Sequence, residues 1–240
     1  MVGRDGIRVW TVALDTIPET LWPRLIGLLD GTEQEHAKRF RSDRHRRQYQ
    51  AAHAMKRLML AAATAGATAP EAWTFATGAH GKPYVVPGEG PRFNLSHCDG
   101  LVACAVSRRT ELGIDVETMD RKAALDLAKG YFAPTEEAWL QSLDPAAQHQ
   151  GFFQLWTLKE AFIKATGLGL AQPLDAFSFR FDPLGIAFRD PALGDPAAWH
   201  FAQCAVGTQH QLALAWRTDA DEVAVEIAAV RLETIMRGTT

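Results

Sequence analysis

The sequence predicts an α+β fold, and three observations predict it. Hydrophobic residues make up 47% and charged residues 22% of the 240, a balance that builds a core and excludes a disordered chain. Strand-like and helix-like stretches follow one another without regular β-α-β alternation, which disfavours a doubly wound sheet. Two long helical patterns, about 43–65 and 151–166, interrupt runs of short β-branched segments.

In chain order, "IRVWTVAL" (7–14) is β-branched and partly alternating, so it reads as a strand. "TIPETLWPRLIGLLD" (16–30) reads as a short helix opening near Pro18. Over 43–65, Ala51, Met55, Leu58, Met59 and Ala62 recur at helical spacing and mark a buried face, with Asp43 as N-cap and Gly66 as stop. "GAHGKPYVVPGEGP" (78–91) is turn-rich and brackets a short strand at 84–86. "RFNLSH" (92–97) leads into "LVACAVS" (101–107), a buried strand, and "ELGIDVE" (111–117) is another. A helix covers 125–131, and the next begins after Pro134, where "PTEE" puts acids in its first turn. The central helix runs over 151–166 and stops at Gly167. "AFSFRF", "GIAFRD", "WHFAQCAV" and "QLALAW" then read as strands, with "VAVEIAAV" (223–230) as a last short element.

The formal net charge of -3 argues against a general nucleic-acid binder, although "KRFRSDRHRR" (38–47) is densely basic and suits a phosphate or an acidic partner. The three cysteines, Cys98, Cys104 and Cys204, form no C-x-x-C pair, so reduced thiols are expected. With no signal-peptide pattern and no apolar run of spanning length, a cytoplasmic protein is expected.

Several short motifs carry chemistry. In a strand, Asp115 and Glu117 project to the same face while Ile114 and Val116 face the other way. Like charges so close repel; a hard cation such as Mg²⁺ relieves that, but an ordinary solvent-facing strand edge also holds such pairs. Glu160 and Lys164 lie four apart on a helix otherwise filled by Phe152, Phe153, Leu155, Trp156, Leu158, Phe162 and Ile163. They form either a surface ion pair or the charged lining of a cleft. Gly81, Lys82 and Pro83 put a lysine beside a turn without the spacing of a P-loop. Asn94, Ser96 and His97 offer amide, hydroxyl and imidazole groups, but adjacent strand residues point apart, so Ser96 and His97 are no catalytic pair.

The order G-K-P, F-N-x-S-H, G-I-D-x-E, W-x-x-K-E-x-x-x-K resembles the 4'-phosphopantetheinyl transferases, specifically the monomeric type that activates peptide synthetases, polyketide synthases and similar carrier-protein systems. The motifs span about residues 39–170. The resemblance implies transfer of the phosphopantetheine arm of coenzyme A to a serine of an apo acyl or peptidyl carrier protein, with Mg²⁺ as cofactor and adenosine 3',5'-bisphosphate as product. It implies two similar α/β halves about a pseudo-twofold axis with the active site in the cleft between them. The halves would be 1–110, contacting coenzyme A, and 111–240, with the metal site and carrier docking. Asp115, Glu117 and Glu160 would bind metal, and Glu160, Lys164 and Asp115 would carry catalysis. Coenzyme A would be held by His36, Arg39, Arg46, Gly81, Lys82, Pro83, Asn94, Ser96, His97, Lys159 and Lys164. Glu136 would be a further acid near the site. Glu33 and His36 stand where relatives often carry Lys or Arg, and the stretch between Phe40 and Asp43 is shorter, so the 3'-phosphate would fall to His36, Arg39, Arg44 or Arg46. The acidic carrier would dock around 122–129 and the following helix.

Two rival readings use the same residues. A Mg²⁺-dependent pyrophosphate hydrolase would cleave coenzyme A without a carrier. A nucleic-acid-binding module would use the basic run, but no RNP-type aromatic motif accompanies it.

Overall fold

The structure, a computed structural model, describes residues 6–88, 90–120, 125–219 and 223–237. Strand β1 (Ile7–Ala13) is followed by α1 (Trp22–Gly27), α2 (Gly31–Lys38) and α3 (Asp43–Ala63). Then come β2 (Thr74–Thr77), β3 (Pro83–Val86), β4 (Arg92–Cys98), β5 (Leu101–Ser107) and β6 (Glu111–Thr118). Helices α4 (Leu125–Tyr131), α5 (Pro134–Ser142) and α6 (Pro145–Thr166) precede β7 (Phe177–Phe181), β8 (Leu184–Phe188), β9 (Trp199–Val206) and β10 (His210–Arg217). The described chain closes with β11 (Val225–Ala229) and α7 (Leu232–Arg237).

The chain divides into two compact units, the first made of 1–77, 83–110 and 222–240, the second of 78–82 and 111–221. The expected halves differ from these units at the turn 78–82 and at the C-terminus. The segment after β10 returns to the first unit because β11 pairs in parallel with β1, Ile7 opposite Val225, and α7 buries Leu232 and Met236 in that unit's core.

In the first unit the sheet order is β11-β1-β5-β4, and β5 runs antiparallel to both β1 and β4. The 21-residue α3 lays Met55, Leu58 and Met59 in one cluster with Val102, Cys104, Val106 and Phe93. Ala62, expected on the buried face, is exposed, since it lies in the helix's last turn. Asp43 is the first helical residue, and Ser42 before it is the N-cap. The periodicity does not reveal α2, which a capping box creates: Asp30 accepts from Glu33 N, and Glu33 reaches back to Asp30 N.

Glu33 is also the hub of a buried ionic network. Its carboxylate accepts from Lys56 at 2.6 Å and from Arg57 Nε at 2.9 Å, and His53 Nδ1 lies 2.7 Å away. Arg57, with no exposed surface, also donates to Asp30 and to the carbonyl of Trp73. The residue standing in a basic position of the resemblance is thus a structural carboxylate.

In the second unit β6, β10 and β9 form an antiparallel sheet with β6 at one edge. The 22-residue α6 begins at Pro145, earlier than its apolar stretch suggests, because Asp144 caps it by accepting from Ala146 N. It ends on Gly167, whose φ of 76° is the left-handed C-cap conformation that glycine adopts at no steric cost. Phe152, Phe153, Leu155, Leu158, Phe162 and Ile163 join Phe177, Phe179 and Ile186 in this unit's core. Among the described residues, no helix is long and apolar enough to cross a membrane.

Candidate active site

The site grows from the way α6 lies on β6. Gly113, Asp115 and Glu117 share one strand face. A Cβ built on Gly113 would come 2.2 Å from Ala161 O and 2.3 Å from Ala165 N, so only hydrogen there lets the helix backbone approach. On neighbouring β10, Ala215 and Ala213 pair with Gly113 and Asp115, and both alanines are fully buried. A row of small side chains therefore draws α6 onto the strand bearing the two acids.

From Gly151 to Thr166 most of α6 is buried, but Trp156, Glu160 and Lys164 are only half-buried and recur at a spacing of four. This stripe meets the acid row of β6. Lys164 Nζ lies 2.6 Å from Asp115 Oδ1, and Trp156 Nε1 donates to Glu117 Oε1 at 3.1 Å. Glu160 sits one turn from each of these two residues. Its pKa is raised, first by burial and further by the Asp115 charge, with Lys164 acting in the opposite direction. Asp115, Glu160 and Lys164 thus lie within electrostatic reach of one another, and Glu117 is tied to the same helix stripe through Trp156.

Three hard oxygen donors with one compensating charge suit a divalent cation such as Mg²⁺ in kind. Their present orientation is another matter. Among the described residues no group of three or more His, Cys, Asp or Glu side chains is gathered as a metal-binding cluster. Lys164 holds Asp115 and Trp156 holds Glu117, each at hydrogen-bond distance.

Two lysines expected to contact coenzyme A, and one neighbouring acid, make contacts within the protein. Lys159, expected to contact coenzyme A, has no exposed surface. Its ammonium is 2.7 Å from Glu136 Oε2 and donates to the carbonyls of Leu174 and Phe177 at 2.7 and 3.0 Å. One residue from Glu160 on a helix means about 100° of rotation, which takes Lys159 into the core. Glu136, expected near the site, is its buried partner and also accepts from Ala133 N and Phe179 N. Burial pushes the pKa of Glu136 up and that of Lys159 down, and their mutual charge opposes both shifts. Lys82, the other lysine expected to contact coenzyme A, donates to Ala165 O at 2.8 Å, Leu112 O at 3.1 Å and Glu111 Oε2 at 3.3 Å. Gly81 beside it has a φ of 84°, as the turn requires.

The remaining candidates belong to the first unit, where Pro83 opens β3. Asn94 and Ser96 are buried on β4 and point to one face, while His97 is exposed on the other. His36 is exposed at the end of α2 and stacks on Tyr49, ring centroids 4.9 Å apart, and Tyr49 stacks on His53 at 4.0 Å. Burial, reinforced by Glu33 and Asp30, pushes the Tyr49 hydroxyl up to about 12. Arg39 is exposed, Arg46 pairs with Asp43, and Arg44 lies 3.4 Å from Asp99. Lys122, in the expected docking region, lies outside the described residues, and 125–131 forms α4 as expected. Trp156 and Gly113 open two of the sequence motifs without a role read for either, although a glycine inside a strand signals close backbone approach and Trp156 lies four residues before Glu160.

Residues 111–215 match the model of the 4'-phosphopantetheinyl transferase superfamily, a span that contains all four clustered residues. A 4'-phosphopantetheinyl transferase of Bacillus subtilis is 36% identical over 159 residues, 65% of this chain and 68% of that protein. The 4'-phosphopantetheinyl transferase HetI of Nostoc sp. is 35% identical over 172 residues, 70% of this chain and 71% of that one. The 4'-phosphopantetheinyl transferase Sfp of Bacillus subtilis is 40% identical over a shorter stretch of 106 residues, 44% of this chain and 46% of that protein.

Proposed function

The chain belongs to the 4'-phosphopantetheinyl transferase superfamily, and from that premise we propose that Asp115, Glu117, Glu160 and Lys164 form its catalytic centre. The enzyme transfers the 4'-phosphopantetheine arm of coenzyme A to a serine of an apo carrier protein and releases adenosine 3',5'-bisphosphate. The observation that carries the assignment is the meeting of the α6 stripe with the β6 acids, marked by the 2.6 Å contact of Lys164 with Asp115.

The nucleophile comes from the carrier, so the centre needs no serine of its own. Attack on the pyrophosphate of coenzyme A requires three things of the protein: a place for negative charge, an acceptor for the serine proton, and alignment. Lys164 is the cation of the cluster, and turning from Asp115 to a phosphate oxygen gives it a charge-assisted bond to the substrate. Glu160 is the carboxylate on the helix side and takes the serine proton. Asp115 and Glu117, with Glu160, would hold Mg²⁺, whose bound charge would neutralise the pyrophosphate and stabilise the leaving bisphosphate.

Asn94, Ser96, His97, His36, Arg39 and Arg46 remain the proposed contacts for the coenzyme A phosphates and adenine, the assignment resting on their match to the family's motifs. The proposed assembly is a cytoplasmic monomer, and the carrier docks on α4 and α5.

The test is the intact mass of an apo carrier protein incubated with this enzyme, coenzyme A and Mg²⁺. A gain of one phosphopantetheine arm, abolished by EDTA, is the expected result. Loss of coenzyme A with no gain of mass on peptide, polyketide or fatty-acid carriers would replace this reading with hydrolysis. Asp115→Asn and Glu160→Gln are each expected to lower kcat by at least about a hundredfold with a cooperative melt retained. Turnover near wild type in either variant at saturating Mg²⁺ removes that residue from the centre.

A further inference from the structure

Lys82 is held unlike a ligand-binding lysine. It lies in the turn 78–82, which belongs to the second unit, and its ammonium reaches two main-chain carbonyls that sequence places far apart. One is Ala165 O, in the last turn of α6, where carbonyls have no partner within the helix. The other is Leu112 O, on the edge strand β6. The Glu111 carboxylate, 3.3 Å away, supplies the counter-charge. The lysine stem passes over Gly167: a Cβ built there would come 3.3 Å from Lys82 Cδ, so the glycine C-cap makes room for it.

These two carbonyls flank the catalytic cluster. Ala165 follows Lys164 directly, and Leu112 lies three residues before Asp115. An ammonium bridging them sets how far α6 slides along β6. Gly113 governs how closely the two elements approach, but a smooth glycine contact does not fix register. We infer that Lys82 is a positioning residue for the reaction: it pins the end of α6 to the start of β6 and so holds Glu160 and Lys164 in register with Asp115. The inference rests on the assignment of these three residues to the catalytic centre. Misplacement of reacting groups by about 1 Å costs on the order of a hundredfold in rate, so a register tie has catalytic weight without touching substrate.

The experiment compares Lys82→Met, Lys82→Arg, Lys164→Met and the double variant Lys82→Met/Lys164→Met. It reads kcat and KM for coenzyme A with saturating carrier, the Kd for coenzyme A without carrier, and the thermal melt. A register tie predicts that Lys82→Met lowers kcat at least about tenfold and changes the Kd for coenzyme A far less. It predicts that the double variant loses less than the product of the two single losses, because part of the effect of Lys82 runs through the placement of Lys164. Lys82→Arg keeps the charge for any phosphate but not the spacing between the two carbonyls, so its kcat also falls while its Kd holds. That variant decides the matter if Lys82→Met does not melt cooperatively. A kcat within twofold of wild type in Lys82→Met or Lys82→Arg overturns the inference. So does a multiplicative loss in the double variant with a weakened Kd, which would make Lys82 an independent contact for coenzyme A. Full activity in Lys164→Met would instead overturn the assignment of the catalytic centre.

Discussion

Lys159 and Glu160 are chain neighbours with opposite fates. Helical rotation sends Lys159 into the core, where Glu136 and two carbonyls satisfy it, and leaves Glu160 half-buried on the stripe with Lys164. A buried ion pair is poor evidence of stability in itself, but removing one partner strands the other charge. Lys159→Met is therefore expected to destabilise the fold by about 3–5 kcal/mol. In the fraction that stays folded, the Kd for coenzyme A should match wild type. Denaturant melts and titration of the ligand check both, and a stable variant with weakened coenzyme A binding would return Lys159 to the site. The motif K-E thus contains one residue buried in the core and one residue of the proposed centre. Their spacing on the helix could have separated them, since Lys159 shares its face with Leu155, Phe162 and Ile163.

At the scale of elements, the contact of α6 with β6 decides whether a site exists. Gly113→Ala drives a methyl group against the main chain of Ala161 and Ala165, which cannot rotate away as a side chain would. The expected cost is about 3 kcal/mol, the upper end for overpacking, with kcat reduced at least about tenfold as the helix lifts from the acids. A variant with unchanged melting and rate would show that the helix is free to shift. The network joining α2 to α3 predicts a pH dependence. Burial lowers the pKa of His53 from its ordinary 6.5, with Lys56 and Arg57 adding to this against Glu33. The folded state therefore keeps His53 neutral, and below about pH 6.5 the unfolded chain takes up the proton first. For Glu33, burial alone would raise the pKa, but His53 and Lys56 outweigh it and hold the carboxyl well below its ordinary 4.5. Its contribution is present above pH 4.5 and is lost as pH falls through its folded value. The two effects have the same sign but different windows, Glu33 acting below pH 4.5 and His53 below about 6.5, so it is the His53 contribution that falls as pH drops from 7.5 to 5, and His53→Gln should flatten that decline. Equal slopes in the two proteins, measured by urea unfolding, would contradict this.

Over the whole molecule the C-terminal segment completes the first unit. β11 adds an edge strand to β1, and α7 buries Leu232 and Met236. Ending the chain at Asp219 removes that strand and two core side chains, each contributing about 1.5–3 kcal/mol by burial alone. The first unit should then melt at lower temperature or fail to fold, whereas an unchanged melt would show that the segment is dispensable. The sequence by itself determined the α+β class, nearly every strand, the long helices and the family, because hydrophobic period, turn residues and motif spacing are local properties written along the chain. It also singled out Asp115, Glu117, Glu160 and Lys164, since each stood out against its own element's pattern. Tertiary structure alone decided which charges meet. Ion pairs such as Lys159 with Glu136 or Glu33 with Arg57 join residues 23 or more positions apart. The return of β11 to β1 and the turn of Lys82 onto the end of α6 are likewise long-range closures. Their partners are chosen by which buried polar groups would otherwise be left unsatisfied, and that requirement exists only once the chain has folded.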